Sequence, residues 1–153
     1  MSVAVVAGTD LVLDVFRING LLLAAGDQLT ASQGLTAARW QVLGAIALAG
    51  EPLSVPRVAR RMGLTRQSVQ ASVNRLVDDG LLAAQPNADH ARSPLFRLTD
   101  SGTASYKSLQ AAQQEWIDGL TTDIPLAELQ AASRVLRTLA SRLTTKPTRK
   151  EPA

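Results

Sequence analysis

Residues 53–82 read LSVPRVARRMGLTRQSVQASVNRLVDDGLL, and this stretch decides the fold. Ala59, Gly63 and Val69 stand in it at helix-turn-helix spacing. A small residue lets two helices cross closely, a glycine four positions on takes the left-handed turn, and a β-branched residue six further packs the second helix back on the first. Ser54 is the expected N-cap of the first short helix, over about 55–62, with Pro56 tolerated in its first turn because the missing N–H would be unpaired there. Thr65 is the expected cap of the second helix, which ends before Gly80 and turns Val69, Val73 and Leu76 inward. Between Pro52 and Val77 lie five arginines (Arg57, Arg60, Arg61, Arg66, Arg75) and no acid. A second helix with a polar, cationic outer face suits a duplex groove.

Downstream, Leu81 to Gln85 and Pro94 to Leu98 read as two short strands around the polar loop PNADHARS, which makes a two-stranded wing. Upstream, a helix is expected from about Thr9 to Gln33, with Leu11, Val15, Ile18, Leu22, Ala25 and Leu29 in one apolar stripe and a bend at Gly20 or Gly26. A second, mostly apolar helix runs from the cap Thr36 to just before Gly50. Two long helices close the chain, from Asp100 or Ser101 to Thr121 and from Pro125 to about Leu143. In the last, Leu129, Ala132, Leu136, Leu139 and Leu143 step alternately three and four, a seam suited to another helix. The fold class is thus mostly α: a winged helix-turn-helix core flanked by long helices, about six in all. Its parts are an N-terminal dimerisation helix (1–34), a DNA-binding region (35–100), C-terminal dimerisation helices (101–145) and a disordered tail (146–153), in one intertwined domain. The flanking stripes exceed what a small winged core can cover, and a C2 homodimer is the simplest way to bury them.

Composition agrees with helix packing, since 46% of residues are hydrophobic but only 3% aromatic. Thirteen of the sixteen basic residues are Arg, a bias toward phosphate and base-edge contacts that a GC-rich coding sequence would also produce. Net charge is +3, so the clustering of the arginines says more than their sum. Without cysteine there are no disulfides, thiolate metal sites or thiol redox sensing. The first residues, MSVAVVAGTD, lack a basic leader, and charges soon interrupt any apolar run, so neither a signal peptide nor a membrane span is expected. A cytoplasmic location fits.

From about Leu35 to Gly102 the chain resembles the MarR family of winged-helix transcription regulators. The resemblance rests on LTAARWQVL, on the stretch quoted above with its DDGLL exit, and on a wing ending in FRLTDSG. It implies a homodimer built from terminal helices on a pseudo-palindromic operator. It further implies a repressor that lets go of DNA when a small aromatic or phenolic effector binds between the dimer helices and the winged region. The wing departs from the family's D-x-R-D-x-R pattern: Asp89 and Arg92 flank His90 and Ala91, and Pro94 follows.

With Val69 at the centre of the buried face, steps of 100° put Gln67, Ala71 and Asn74 nearly opposite, flanked by Gln70 and Arg75, with Ser68 at the N-terminal end. Amides pair with adenine edges and guanidinium with guanine. The base-contact candidates are therefore Arg66, Gln67, Ser68, Gln70 and Asn74, with Arg75 on base or phosphate. Arg57, Arg60, Arg61 and Arg97 are expected on the DNA backbone, Arg97 alternatively pairing with Asp78 or Asp79, acids that are expected to find arginine partners and to be structural. At the wing, Arg92 with His90 reaches for the minor groove, unless Arg92 pairs with Asp89 and His90 is a solvated turn residue. Phe16, Trp40, Tyr106 and Trp116 are candidates for an effector pocket or, individually, for plain core. One histidine and no cysteine leave no transition-metal site. No cofactor or catalytic residue is expected, because there is no phosphate loop, no paired carboxylates in an apolar setting, and nothing to orient His90 beside a serine.

Two other readings use the same fold. A winged helix devoted to protein–protein contact would carry apolar anchors where Gln67, Gln70, Ala71 and Asn74 stand. A sequence-neutral architectural DNA binder would be more basic and discriminate little between sequences.

Overall fold

The computed structural model describes residues 2–144; the disordered tail expected over 146–153 lies outside the described residues. The elements are α1 (Val3–Thr30), a 3-10 turn (Ala31–Gln33), α2 (Ala37–Ala49), β1 (Leu53–Ser54), α3 (Val55–Met62), α4 (Arg66–Asp78), β2 (Leu82–Gln85), β3 (Leu95–Leu98), α5 (Asp100–Thr121) and α6 (Leu126–Thr144). The chain divides after Gln114 into two compact units. None of the described helices is long and apolar enough to cross a membrane.

The core of the first unit is built from the stripes read in the sequence. Leu43, Leu53, Val58, Val69, Val73, Leu76, Leu82 and Leu109 are buried together, drawn from α2 to α5. Glycine closes the segments as expected: Gly50 ends α2 and Gly63 ends α3, both in the left-handed region with φ of 67° and 63°. Thr36 and Thr65 cap α2 and α4, their hydroxyls accepting the N–H of Arg39 (3.3 Å) and Ser68 (3.1 Å). Beyond α4, Gly80 (φ 73°) reverses the chain, and Leu81 N–H returns to the carbonyl of Leu76 at 2.9 Å. Thr99 then fastens the exit: its hydroxyl donates to the Gly80 carbonyl (2.6 Å) and accepts from Gly102 N–H (3.0 Å). Gly102 is required there, because a Cβ at that position would run into the Leu81 carbonyl.

Two differences from the sequence reading have local causes. The wing sheet has three strands, ordered β1-β3-β2 and antiparallel, because Leu53 and Ser54 pair with Phe96 and Leu95. Two residues running straight into a helix are too short to show alternation. Helix α1 starts at Val3 and not near Thr9. Ser2 caps it, and Thr9 sits inside it with its hydroxyl donating to the Val5 carbonyl one turn back (2.9 Å), a satisfied mid-helix threonine.

At its C-terminal end α1 docks on α2. Gly26 lets the helices meet, since a Cβ there would lie 2.8 Å from that of Ala37. Asp27 accepts the Ala37 N–H (2.7 Å), which completes the cap of α2. The rest of α1 leaves Val12, Leu13, Phe16, Ile18, Leu21 and Leu22 exposed. In the second unit, α6 likewise leaves Leu126, Val135, Leu136 and Leu143 exposed.

Candidate nucleic-acid interface

Helix α4 presents the polar face expected of it. Val69, Val73 and Leu76 are fully buried, while Arg66, Gln67, Ser68, Gln70, Asn74 and Arg75 are exposed. No acid stands in its first turn, so its unpaired N–H groups and positive dipole end meet no competing carboxylate there. Gln70 and Asn74, one turn apart, are joined by a hydrogen bond from Gln70 Nε2 to Asn74 Oδ1 (2.8 Å). That bond holds the two amides as one unit and leaves the Gln70 oxygen and the Asn74 amino group open. Ser68 is engaged in the cap: its hydroxyl donates to the Thr65 carbonyl and accepts from the Thr65 hydroxyl, both at 3.0 Å.

The arginines of α3 and α4 converge with the wing. One groove of about 1060 Å³ is bordered by Arg57, Arg60, Arg66, His90 and Arg92. A second, of about 460 Å³, lies between the start of α4 and the wing, with Arg66, Gln67, Gln70 and Arg92 on its walls. Arg66 and Arg92 border both, so the start of α4 and the wing frame two adjoining grooves rich in arginine. Arg61 sits beside Arg57 and Arg60 on the outer side of α3. Arg97 is apart from these grooves, exposed on β3, with one guanidinium N–H donating to the Leu98 carbonyl (3.4 Å).

The acids are where the sequence was least legible. Arg57 has a partner after all: Glu51, just outside the acid-free stretch, reaches it at 2.7 Å. Both side chains are about half exposed, so the pair adds little stability and mainly offsets charge in the groove. Of the two acids expected to find arginines, Asp79 does, with Arg39 at 3.5 Å and Arg75 at 3.3 Å, while among the described residues Asp78 pairs with none. Among the described residues no ion pair joins Asp89 to Arg92 or Arg97 to Asp78 or Asp79. The wing loop is organised instead by Asn87, which sequence reasoning passed over. Its amide donates to the Ser93 carbonyl (2.8 Å) and its oxygen accepts the Asp89 N–H (3.1 Å). An Asn after Pro and two before Asp is a legible turn signal of this kind.

Of the four aromatic candidates, Trp40 and Tyr106 share a cavity of about 180 Å³ with Gly44, Leu48, Met62 and Gln113. Phe16 is not on its wall and is 72% exposed. Trp116 belongs to the second unit, where it is partly buried.

A helix-turn-helix with a buried inner stripe, an open polar outer face on α4 and a wing are thus all on one chain. The model of the MarR family matches residues 33–93, the segment that carries them. An uncharacterized protein of Mycobacterium tuberculosis is 42% identical over 130 residues, covering 83% of this chain and 87% of that protein. The chain belongs to the MarR family. It is a transcription regulator of the DNA-binding kind. Solved structures share its fold: that of CouR from Rhodococcus jostii bound to p-coumaroyl-CoA superposes with a TM-score of 0.77 at 22% identity, covering 93% of this chain and 96% of that one. That of a mutant E. coli MarR complexed with operator DNA gives 0.68 at 21% identity, covering 84% and 94%.

Proposed function

We propose that this MarR-family chain is a homodimeric, sequence-specific repressor that reads a pseudo-palindromic operator and is released by a small aromatic or phenolic effector. The observation that carries the reading is the open outer face of α4 beside the arginine-rich grooves of α3 and the wing. Arg66, Gln67, Gln70 and Asn74 contact base edges, Ser68 lies at the edge of that set, and Arg75 reaches base or phosphate. Arg57, Arg60, Arg61 and Arg97 hold the backbone, and Arg92 with His90 enters the minor groove. A guanidinium-lined cleft supplies affinity, while the amides supply discrimination.

Pairing of two copies is supported by the apolar residues that α1 and α6 leave in water, Phe16 and Leu143 among them. The effector reading is supported by the Trp40–Tyr106 cavity, aromatic-walled and poor in polar groups. Phe16 and Trp116 are not among the residues that line it. The operator-bound MarR and the ligand-bound CouR give precedent for both partners on this fold.

Recovery of bound duplexes from a fragmented genomic pool tests the reading. An inverted repeat, its half-sites about one helical turn (roughly 34 Å) or a multiple apart, is the expected result. Recovery of unrelated sequences, displaced equally well by any duplex at physiological salt, overturns it. Tryptophan fluorescence during titration with phenolic acids tests the effector, and a flat response over a broad panel removes it.

A further inference from the structure

We infer that Asp79 is a positioning residue for DNA binding: anchored by Arg39, its carboxylate holds Arg75 in place at the flank of the recognition helix. The inference rests on the function proposed above and assigns a role that the exposed face of α4 does not show by itself.

Asp79 lies at the C-cap of α4, where a carboxylate meets the negative end of the helix dipole. An acid in that place is unfavourable unless cations answer it. Two do, and on the same oxygen: Oδ2 lies 3.3 Å from Arg75 Nε and 3.5 Å from Arg39 Nη1. The three side chains differ in exposure in a telling order. Arg39 is 19% exposed, Asp79 30% and Arg75 63%. Arg39 is held further by its Nε, which donates to the Thr36 hydroxyl (3.2 Å), itself the cap of α2. A line of contacts therefore runs from the start of α2 to the last turn of α4 and ends on an arginine open to solvent. With Nε engaged, the two Nη groups of Arg75 are the ones left to meet DNA. An unheld arginine gives up rotamer freedom when it binds, and one already fixed gives up less.

Charge and positioning predict opposite outcomes, which makes the role testable. By charge alone, removing an acid near DNA strengthens binding to every duplex. If Asp79 positions Arg75, Asp79→Asn weakens operator binding by about fivefold, leaves an unrelated duplex bound as well as before or slightly better, and no longer weakens operator binding once Arg75 is Ala. The experiment is a double-mutant cycle on the full-length chain, using the operator recovered by selection and an unrelated duplex of equal length. Arg39→Gln, which leaves α4 untouched, gives a second cycle. It is expected to weaken the operator complex in the same direction, by less, and again only while Arg75 is present; this cycle decides if Asp79→Asn does not fold. Equal strengthening of both duplexes by Asp79→Asn, or a loss that persists in full in the Arg75→Ala background, overturns the inference and leaves the regulator reading standing. Failure of the unmodified chain to prefer the operator overturns both.

Discussion

The winged core and the flanking helices handle their apolar residues in opposite ways. Between α2 and β3 most large apolar side chains find cover within the chain, Leu48 at 78% exposure being the main exception: Leu43, Leu53 and Leu76 are wholly buried. Along α1, Leu13 and Phe16 are 60% and 72% exposed, and on α6 Leu143 is 86% exposed. The same amphipathic pattern thus means two things. In the core it encodes packing that one chain completes. In the flanks it encodes a surface that a single chain leaves in water. The hydrophobic free energy of the first is spent on folding, and that of the second remains available for association.

That contrast can be broken first in the core. Leu76→Ala removes a fully buried side chain from α4 and is expected to cost about 3 kcal/mol in a denaturant melt. Gly102→Ala drives a methyl group into the Leu81 carbonyl and is expected to cost about 2 kcal/mol in the same assay. A flank change behaves differently. Leu13→Ser on α1 is expected to leave helical content unchanged while shifting sedimentation from dimer toward monomer; a dimer unmoved by it contradicts the flank's proposed use. Glu51→Gln is the smallest, expected to move the melt by less than about 0.5 kcal/mol because its pair with Arg57 is exposed. A large loss there would mean that the groove's ion pair is structural.

What could be read from sequence follows how local each signal was. Helix α4 was legible because its cap Thr65, its stripe of Val69, Val73 and Leu76, and the turn at Gly63 all lie within a short span. Strand β1 was not, because two residues have no period. The start of α1 is not legible because Thr9, a good cap residue, is equally content bonding back to Val5 inside a helix. The Arg39–Asp79 contact spans 40 positions, and nothing in the spacing of an arginine and an acid announces it. The convergence of Arg57, Arg66 and Arg92 on one cleft could be stated residue by residue, but their shared geometry comes from the fold. Asn87 lies in the wing loop, where composition marks a turn but not its partners Ser93 and Asp89.

The most direct measurement is the affinity of Arg66→Ala and Gln70→Ala for the recovered operator in a mobility-shift titration at fixed salt, with thermal melts confirming that both variants fold. Both residues are exposed at the start of α4, so little stability is at stake. Each is expected to weaken operator binding by about tenfold or more, Gln70→Ala with relaxed preference at one base pair. Unchanged affinity for both would contradict the claim that this helix face reads DNA.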